Sequence, residues 1–274
     1  MQSLGVDVVI AFRSSKGSSS VSGEDTIKGR FAGLRSVFSS FCVAALLVIA
    51  FRSFAFEPFH IPSGSMKSTL LVGDYVFVGK YNYGYSKYSI GPVFISRFVH
   101  WVLSPIVSLE GRVWYSQPNA GDVVVFRLPS NPTTNYIKRV VGLPGDKVQI
   151  SGGHLYINGV EMGYDRIEDF VEREGKVVKR YLETLYNGRS YEILDERENS
   201  SLDNTPVYVV PEGHIFVLGD NRDDSRDSRF VTEVGNIPID NIVGKALMVA
   251  LSFRKGDGWW PFEIRFDRVF HRVR

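Results

Sequence analysis

This chain of 274 residues has a single cysteine, Cys42, so no disulfide can form within it. Its five histidines are scattered and no HExxH occurs, which removes the usual zinc signatures. There is no GxxxxGK[ST] phosphate cradle. The four aspartates of "DNRDDSRDS" (220–228) lack the spacing and glycine of a calcium loop. No cofactor or metal is therefore expected. A formal net charge of +2 is too small to argue for a nucleic-acid partner. No internal repeat is present.

What is present begins with an apolar run. Residues 36–51, "SVFSSFCVAALLVIAF", carry no charge; Arg52 interrupts, and "SFAF" continues to Phe56. Twenty helical residues, 37–56, would span about 30 Å, the thickness of a bilayer core. Arg52 would snorkel to the headgroups. The leader of 35 residues is long for a cleaved signal peptide and no small-residue cleavage site follows, so the expectation is one retained transmembrane anchor, 36–56. Lys28, Arg30 and Arg35 precede it and favour a cytoplasmic N-terminus. Residues 1–35 include the Ser/Gly-rich "RSSKGSSSVSGED" and are expected to be a largely disordered tail.

From Asp74 onward the pattern is that of strands. "DYVFVGKYNYG" (74–84), "GDVVVFRLP" (121–129) and "NYIKRVVGLPGDKVQIS" (135–151) are rich in β-branched and aromatic residues, with Gly-Asp and Pro-Gly turn signals between them. "GHLYINGVEM" (153–162) reads as a hairpin with Asn158-Gly159 at its turn. "VYVVPEGHIFVLGDN" (207–221) and "NIVGKALMVALSF" (241–253) extend the series. The expected fold is mainly β: an antiparallel, barrel-like core over 57–274, with an inserted smaller β-containing subdomain at about 152–206. Within the insertion, 165–203 is dense in charge of both signs and reads as a solvated surface. Residues 90–109 are apolar but contain Pro92, Arg97, His100 and Pro105, which disfavours a second span. They and Trp259–Phe262 are expected to touch the bilayer surface.

Nucleophilic chemistry is the class left standing. In "IPSGSM" (61–66) a serine on a glycine-containing turn can expose both its Oγ and its own N–H. A second hydroxyl, on Ser63, can serve an oxyanion. A serine also needs a base. On a strand through "YIKRVV", Tyr136, Lys138 and Val140 share one face, and Ile137, Arg139 and Val141 the other. A guanidinium stays protonated, whereas a buried lysine can lose its proton, so Lys138 is the candidate base. Each signal is weak alone, since Ser-Gly turns are common and most lysines are solvated or ion-paired.

The blocks "IPSGSM…TLLVGDYVFV", "GDVVVF", "YIKRVVGLPGD" and "GDNRDDSRDSR" occur in this order after an anchor. This resembles the type I signal peptidases, membrane-bound Ser/Lys endopeptidases that remove signal peptides from exported preproteins. The resemblance covers roughly 37–160 and 206–270. It implies Ser65 as nucleophile, Lys138 as general base, and Ser63 joining the Ser65 N–H in the oxyanion hole. It further implies Ser225 as the serine that orients the lysine, Asp227 and Arg229 as a structural ion pair, and Asp220 with Asn221 as the opening turn of that block. Phe59, Ile61, Met66, Leu70, Tyr136 and Ile137 would line shallow pockets for small residues at positions −1 and −3 of the preprotein. The implied partners are preprotein signal peptides and a lipid bilayer. The implied location is the inner membrane, with the catalytic part on the periplasmic side. One departure is Ser68 in "SMKSTL", where the family usually has proline; this bears on loop rigidity rather than chemistry.

Other readings remain at this level. Ser65, His214 and Asp220 could form a hydrolase triad, which sequence order does not exclude. The related self-cleaving repressors share a Ser/Lys pair but need a DNA-binding module where this chain has its anchor. A non-enzymatic, membrane-tethered β-domain would make the serine and lysine incidental.

Overall fold

The computed structural model describes residues 55–89, 111–172, 175–197, 200–256 and 261–274, and most of 35–48. Residues 37–45 are helical. Residues 36, 46 and 49–54 of the expected anchor, the tail 1–34, the apolar stretch 90–109 and residues 259–260 of the Trp259–Phe262 segment lie outside the described residues. Among the described residues no helix is long and apolar enough to cross a membrane. At the end of the expected anchor, Ala55 and Phe56 are not helical. Ala55 is in a turn, and Phe56 opens a strand, pairing with Gly79 and packing edge-on against Phe77 and Tyr81. Partners in the sheet override the apolar run.

Residues 49–274 form one unit. Its strands are β1 (Phe56–His60), β2 (Asp74–Gly79), β3 (Val123–Leu128), β4 (Asn131–Gly142), β5 (Lys147–Ser151), β6 (His154–Ile157), β7 (Val160–Glu161) and β8 (Gly163–Arg166). There follow β9 (Phe170–Val171), β10 (Val177–Thr184), β11 (Ser190–Asp195), β12 (Tyr208–Val209), β13 (His214–Leu218), β14 (Ile237–Pro238), β15 (Ile242–Lys255) and β16 (Phe262–Ile264). The main sheet has eight strands in the order β1-β2-β15-β3-β4-β13-β14, with β16 paired to β15. Two four-stranded sheets, β12-β5-β6-β7 and β11-β10-β8 with β9 on β10, come from the intervening chain. Every pairing among these strands is antiparallel.

The near-continuous apolar run of β3 has its explanation in burial on both faces. Val123 and Val125 join Ile61, Met66, Leu70, Val76 and Val249 in one core, whereas Val124 and Phe126 face Val140, Val217, Ile237 and Ile242 in another. Long β15 bridges β2 and β3 by means of register shifts between Ala246 and Met248 and between Ile242 and Gly244. Asn158 and Gly159, at φ 55° and 80°, close the β6–β7 hairpin with the left-handed pair that a two-residue turn requires.

The charged insertion is more than a solvated surface. Leu155, Ile157, Met162, Tyr191 and Ile193 share a core with Val141, Phe216 and Leu218 of β4 and β13. Glu183, on β10, is fully buried and paired with Arg222 of the "GDNRDDS" segment. Sequence charge density hides this, because the partner is distant along the chain and the pair closes only on folding.

Candidate active site

The IPSGSM segment leaves β1 and turns beneath the main sheet. Met66 and Leu70 plug into the core below, and the Leu70 N–H donates to Met66 O at 2.7 Å. That anchoring fixes Ser65 at the floor of a cleft of about 420 Å3. β3 holds β4 in register, with Val124 opposite Lys138, so the lysine projects from a strand that is paired on both sides.

Lys138 Nζ donates to Ser65 Oγ at 2.5 Å, and both side chains are buried. Ser63 Oγ lies 3.4 Å from Ser65 Oγ. Burial is the largest influence on the amine and disfavours its charged form. Asp227, Asp220 and Asp224 pull the other way from a distance, and Arg229 assists burial. The net effect pushes the lysine down to about 8. The Tyr136 ring stands 5.5 Å from Nζ on the same face of β4.

The "GDNRDDS" segment supports this pair from the backbone side. Asn221 donates its N–H to Ser65 O at 3.1 Å and its Nδ2 to Gly64 O at 3.4 Å. Asp220 accepts from Arg139 Nε and Nη2 at 2.8 and 2.7 Å and from Thr69 Oγ1 at 2.6 Å. Arg139 thus uses the opposite face of β4 from Lys138, with the Tyr191 ring 4.0 Å from its guanidinium. Asp227 and Arg229 form a buried bidentate pair, with both contacts at 2.9 Å. Burial pushes the Asp227 carboxyl up, but Arg229 and the Gly219 N–H outweigh it and hold the group below its ordinary value.

Other expected residues sit differently. Phe59, Ile61, Tyr136 and Ile137 line the cleft, together with His60, Thr134, Asn135, Asp224 and Arg226. Met66 and Leu70, expected in that wall, are fully buried in the core instead, because the turn after Ser65 points them inward. Ser225 Oγ, expected to orient the amine, makes no hydrogen bond to it; the hydroxyl is buried beside the Asp227 carboxyl and helps to hold that group down. It approaches Ser65 across Gly219: a Cβ on that glycine would lie 2.1 Å from Ser225 Oγ and 2.6 Å from Ser65 O. The roles of Thr69, Arg139 and Gly219 were not anticipated. The adjacency of Arg139 to Lys138 was the one available hint, since a strand must bury one cation on each face.

The Ser65–His214–Asp220 triad is not assembled. His214 Nδ1 bonds to Glu212 O, the Asp220 carboxylate is taken by Arg139 and Thr69, and the hydrogen bonds of Ser65 Oγ go to Lys138 and Ser63. β13 runs extended from His214 to Leu218, roughly 13 Å, before the chain reaches Asp220. Among the described residues no group of three or more His, Cys, Asp or Glu side chains could hold a metal ion.

Comparison with known proteins gives a family. Residues 34–251 match the family described as "Signal peptidase, peptidase S26". The chain belongs to this signal peptidase family. It is 38% identical over 248 residues to "Signal peptidase I" of Rickettsia typhi, covering 88% of each chain. "Signal peptidase I" of Rickettsia akari is 39% identical over 240 residues, or 85% of this chain and 83% of the relative. A crystal structure of a signal peptidase I from Enterococcus faecalis shares 28% identity at a TM-score of 0.29, covering 47% of this chain and 97% of that one. The protein is thus a peptidase, a peptide-bond hydrolase of the class that removes signal peptides.

Proposed function

We propose that this signal peptidase is a membrane-anchored Ser/Lys endopeptidase. It would cut preproteins after small residues at −1 and −3, with Ser65 as nucleophile and Lys138 as general base. The observation that carries the reading is the 2.5 Å contact between Ser65 Oγ and a buried amine shifted to about 8. At neutral pH about one such lysine in ten is neutral, against fewer than one in a thousand for an ordinary lysine.

The neutral amine accepts the Ser65 proton as Oγ attacks the scissile carbonyl. The Ser65 N–H and the Ser63 hydroxyl donate to the resulting oxyanion. The ammonium then gives its proton to the departing amine, which becomes the N-terminus of the mature protein. Water then attacks the acyl carbon as Lys138 takes its proton, and the ammonium returns that proton to Ser65 Oγ as the signal peptide leaves with its new carboxyl end. The apolar walls of Phe59, Ile61, Tyr136 and Ile137 suit small side chains of the signal peptide.

The anchor reading rests on the apolar run and its flanking charge. In sequence Ser65 lies only nine residues beyond Phe56, the end of the apolar run, so a membrane-held run would keep the serine close to the bilayer, where the cleavage site of a preprotein emerges. The catalytic part then faces the periplasm and the N-terminus the cytoplasm. The test is cleavage of a preprotein with an Ala-x-Ala site by the purified protein. Wild type should produce the mature N-terminus and Ser65→Ala should not; equal cleavage by both would refute the proposal.

A further inference from the structure

The inserted sheets reach both loops that flank the candidate dyad. On the second loop, the Leu194 N–H donates to Asp220 O at 2.8 Å. Asn221 Nδ2 donates to Glu196 Oε1 at 3.1 Å, and the same asparagine holds Ser65 O. The N–H groups of Glu196 and Arg197 both donate to Asp223 Oδ2, at 2.9 and 2.8 Å.

The nucleophile loop is fastened to the same subdomain independently. Lys67 Nζ pairs with Glu172 Oε1 at 2.6 Å. Its stem crosses Gly64 so closely that a Cβ there would lie 2.8 Å from Lys67 Cε. Ser68 Oγ donates to Glu192 O, on β11, at 2.7 Å. Ser68 also takes φ 83°, a region that side-chain-bearing residues seldom occupy. Proline is locked near φ −65° and cannot adopt it. The residue that breaks the S-M-x-P pattern therefore makes a connection of its own beside that of Lys67, and its unfavourable backbone is held by a bond to the insertion.

We propose that Ser68 is a positioning residue: through its hydroxyl the inserted subdomain sets the nucleophile loop in register with Lys138, replacing the stiffening that proline would give. This rests on the reading of Ser65 as nucleophile. Losing the bond frees the turn three residues after Ser65, which lowers the fraction of time that Oγ stands at attack distance. Substrate contacts along the cleft walls are untouched, as is the burial that sets the basicity of Lys138.

The experiment compares the full-length wild type with Ser68→Ala and Ser68→Gly. The readouts are kcat and KM on a preprotein, the rate at which Ser65 is acylated by a small p-nitrophenyl ester with release of p-nitrophenolate, and thermal stability. Loss of one such hydrogen bond should lower kcat about 3- to 10-fold. KM and the pH midpoint should stay at wild-type values, and the acylation rate should fall by the same factor as kcat. Glycine relieves the positive φ, so Ser68→Gly should be slow while at least as stable as Ser68→Ala. A purely structural serine would show the reverse, with activity following stability. Wild-type kcat and acylation rate in Ser68→Gly would overturn the proposal while leaving the Ser65 reading intact. Cleavage that persists in Ser65→Ala would instead overturn the reading of the site, and this inference with it.

Discussion

Replacing Gly219 with alanine puts the geometry of the site under direct strain. The added Cβ would stand 2.5 Å from Ser225 Cβ and 2.6 Å from Ser65 O. Ser225 Oγ can rotate away, but its Cβ and the Ser65 carbonyl are fixed by the main chain. The second contact falls roughly 0.8 Å short of the 3.4 Å at which ordinary van der Waals contact begins, so one of the two loops must yield by about that distance. Ser65 O is also the acceptor for the Asn221 N–H, so the displacement passes to Ser65. A misplacement of about 1 Å can cost about 10²-fold in rate, and overpacking costs about 1–3 kcal/mol of stability. The expectation for Gly219→Ala is a kcat/KM about 100-fold below wild type in protein that still folds. The assay is initial-rate cleavage of a preprotein, with a urea melt alongside. Gly188→Ala is the control: its φ of 78° carries strain, but a Cβ there meets nothing within 4 Å, so it should lose stability and no activity. Wild-type kcat/KM in folded Gly219→Ala would refute the claim that the two loops meet across this glycine.

Ser63→Ala should slow cleavage by about 10²–10³-fold through loss of one oxyanion donor, whereas Ser65→Ala should remove essentially all activity; initial rates separate the two. Arg139→Met leaves the Asp220 carboxylate buried without its partner and should cost about 3–5 kcal/mol in a denaturant melt. A version lacking residues 1–48 retains the unit that begins at Ile49 and should still bind anionic vesicles at low salt, through the apolar 90–109 stretch and the Trp259–Phe262 segment; a protein wholly in the supernatant after vesicle sedimentation would contradict this.

The strands were legible because their signals are local. Alternation and β-branched runs mark 74–79, 123–128 and 242–255, and Asn158-Gly159 marks its own turn. The site was legible in part for a different reason: blocks far apart in sequence carry a resemblance, and the fold does bring Ser63, Ser65 and Lys138 around one cleft. What escaped depends on contacts that no window contains. Phe56 belongs to the sheet because Gly79, Phe77 and Tyr81 receive it, although hydropathy continues the anchor through it. Met66 and Leu70 look like pocket walls until the direction of the turn is known. Glu183 looks solvated until Arg222 is placed against it. Ser68 looks like a lost proline until Glu192 O stands opposite its hydroxyl.

The central claim is that Ser65 is activated by a lysine that works in its neutral form. The pH dependence of kcat/KM between pH 5.5 and 10 tests it most directly. Because the active form is the deprotonated amine, activity should rise with pH along a single limb whose midpoint lies near the Lys138 value of about 8. Lys138→Arg, which cannot deprotonate, should be inactive while folded. A limb centred near 6.5, the ordinary histidine range, or substantial turnover by Lys138→Arg would contradict the account.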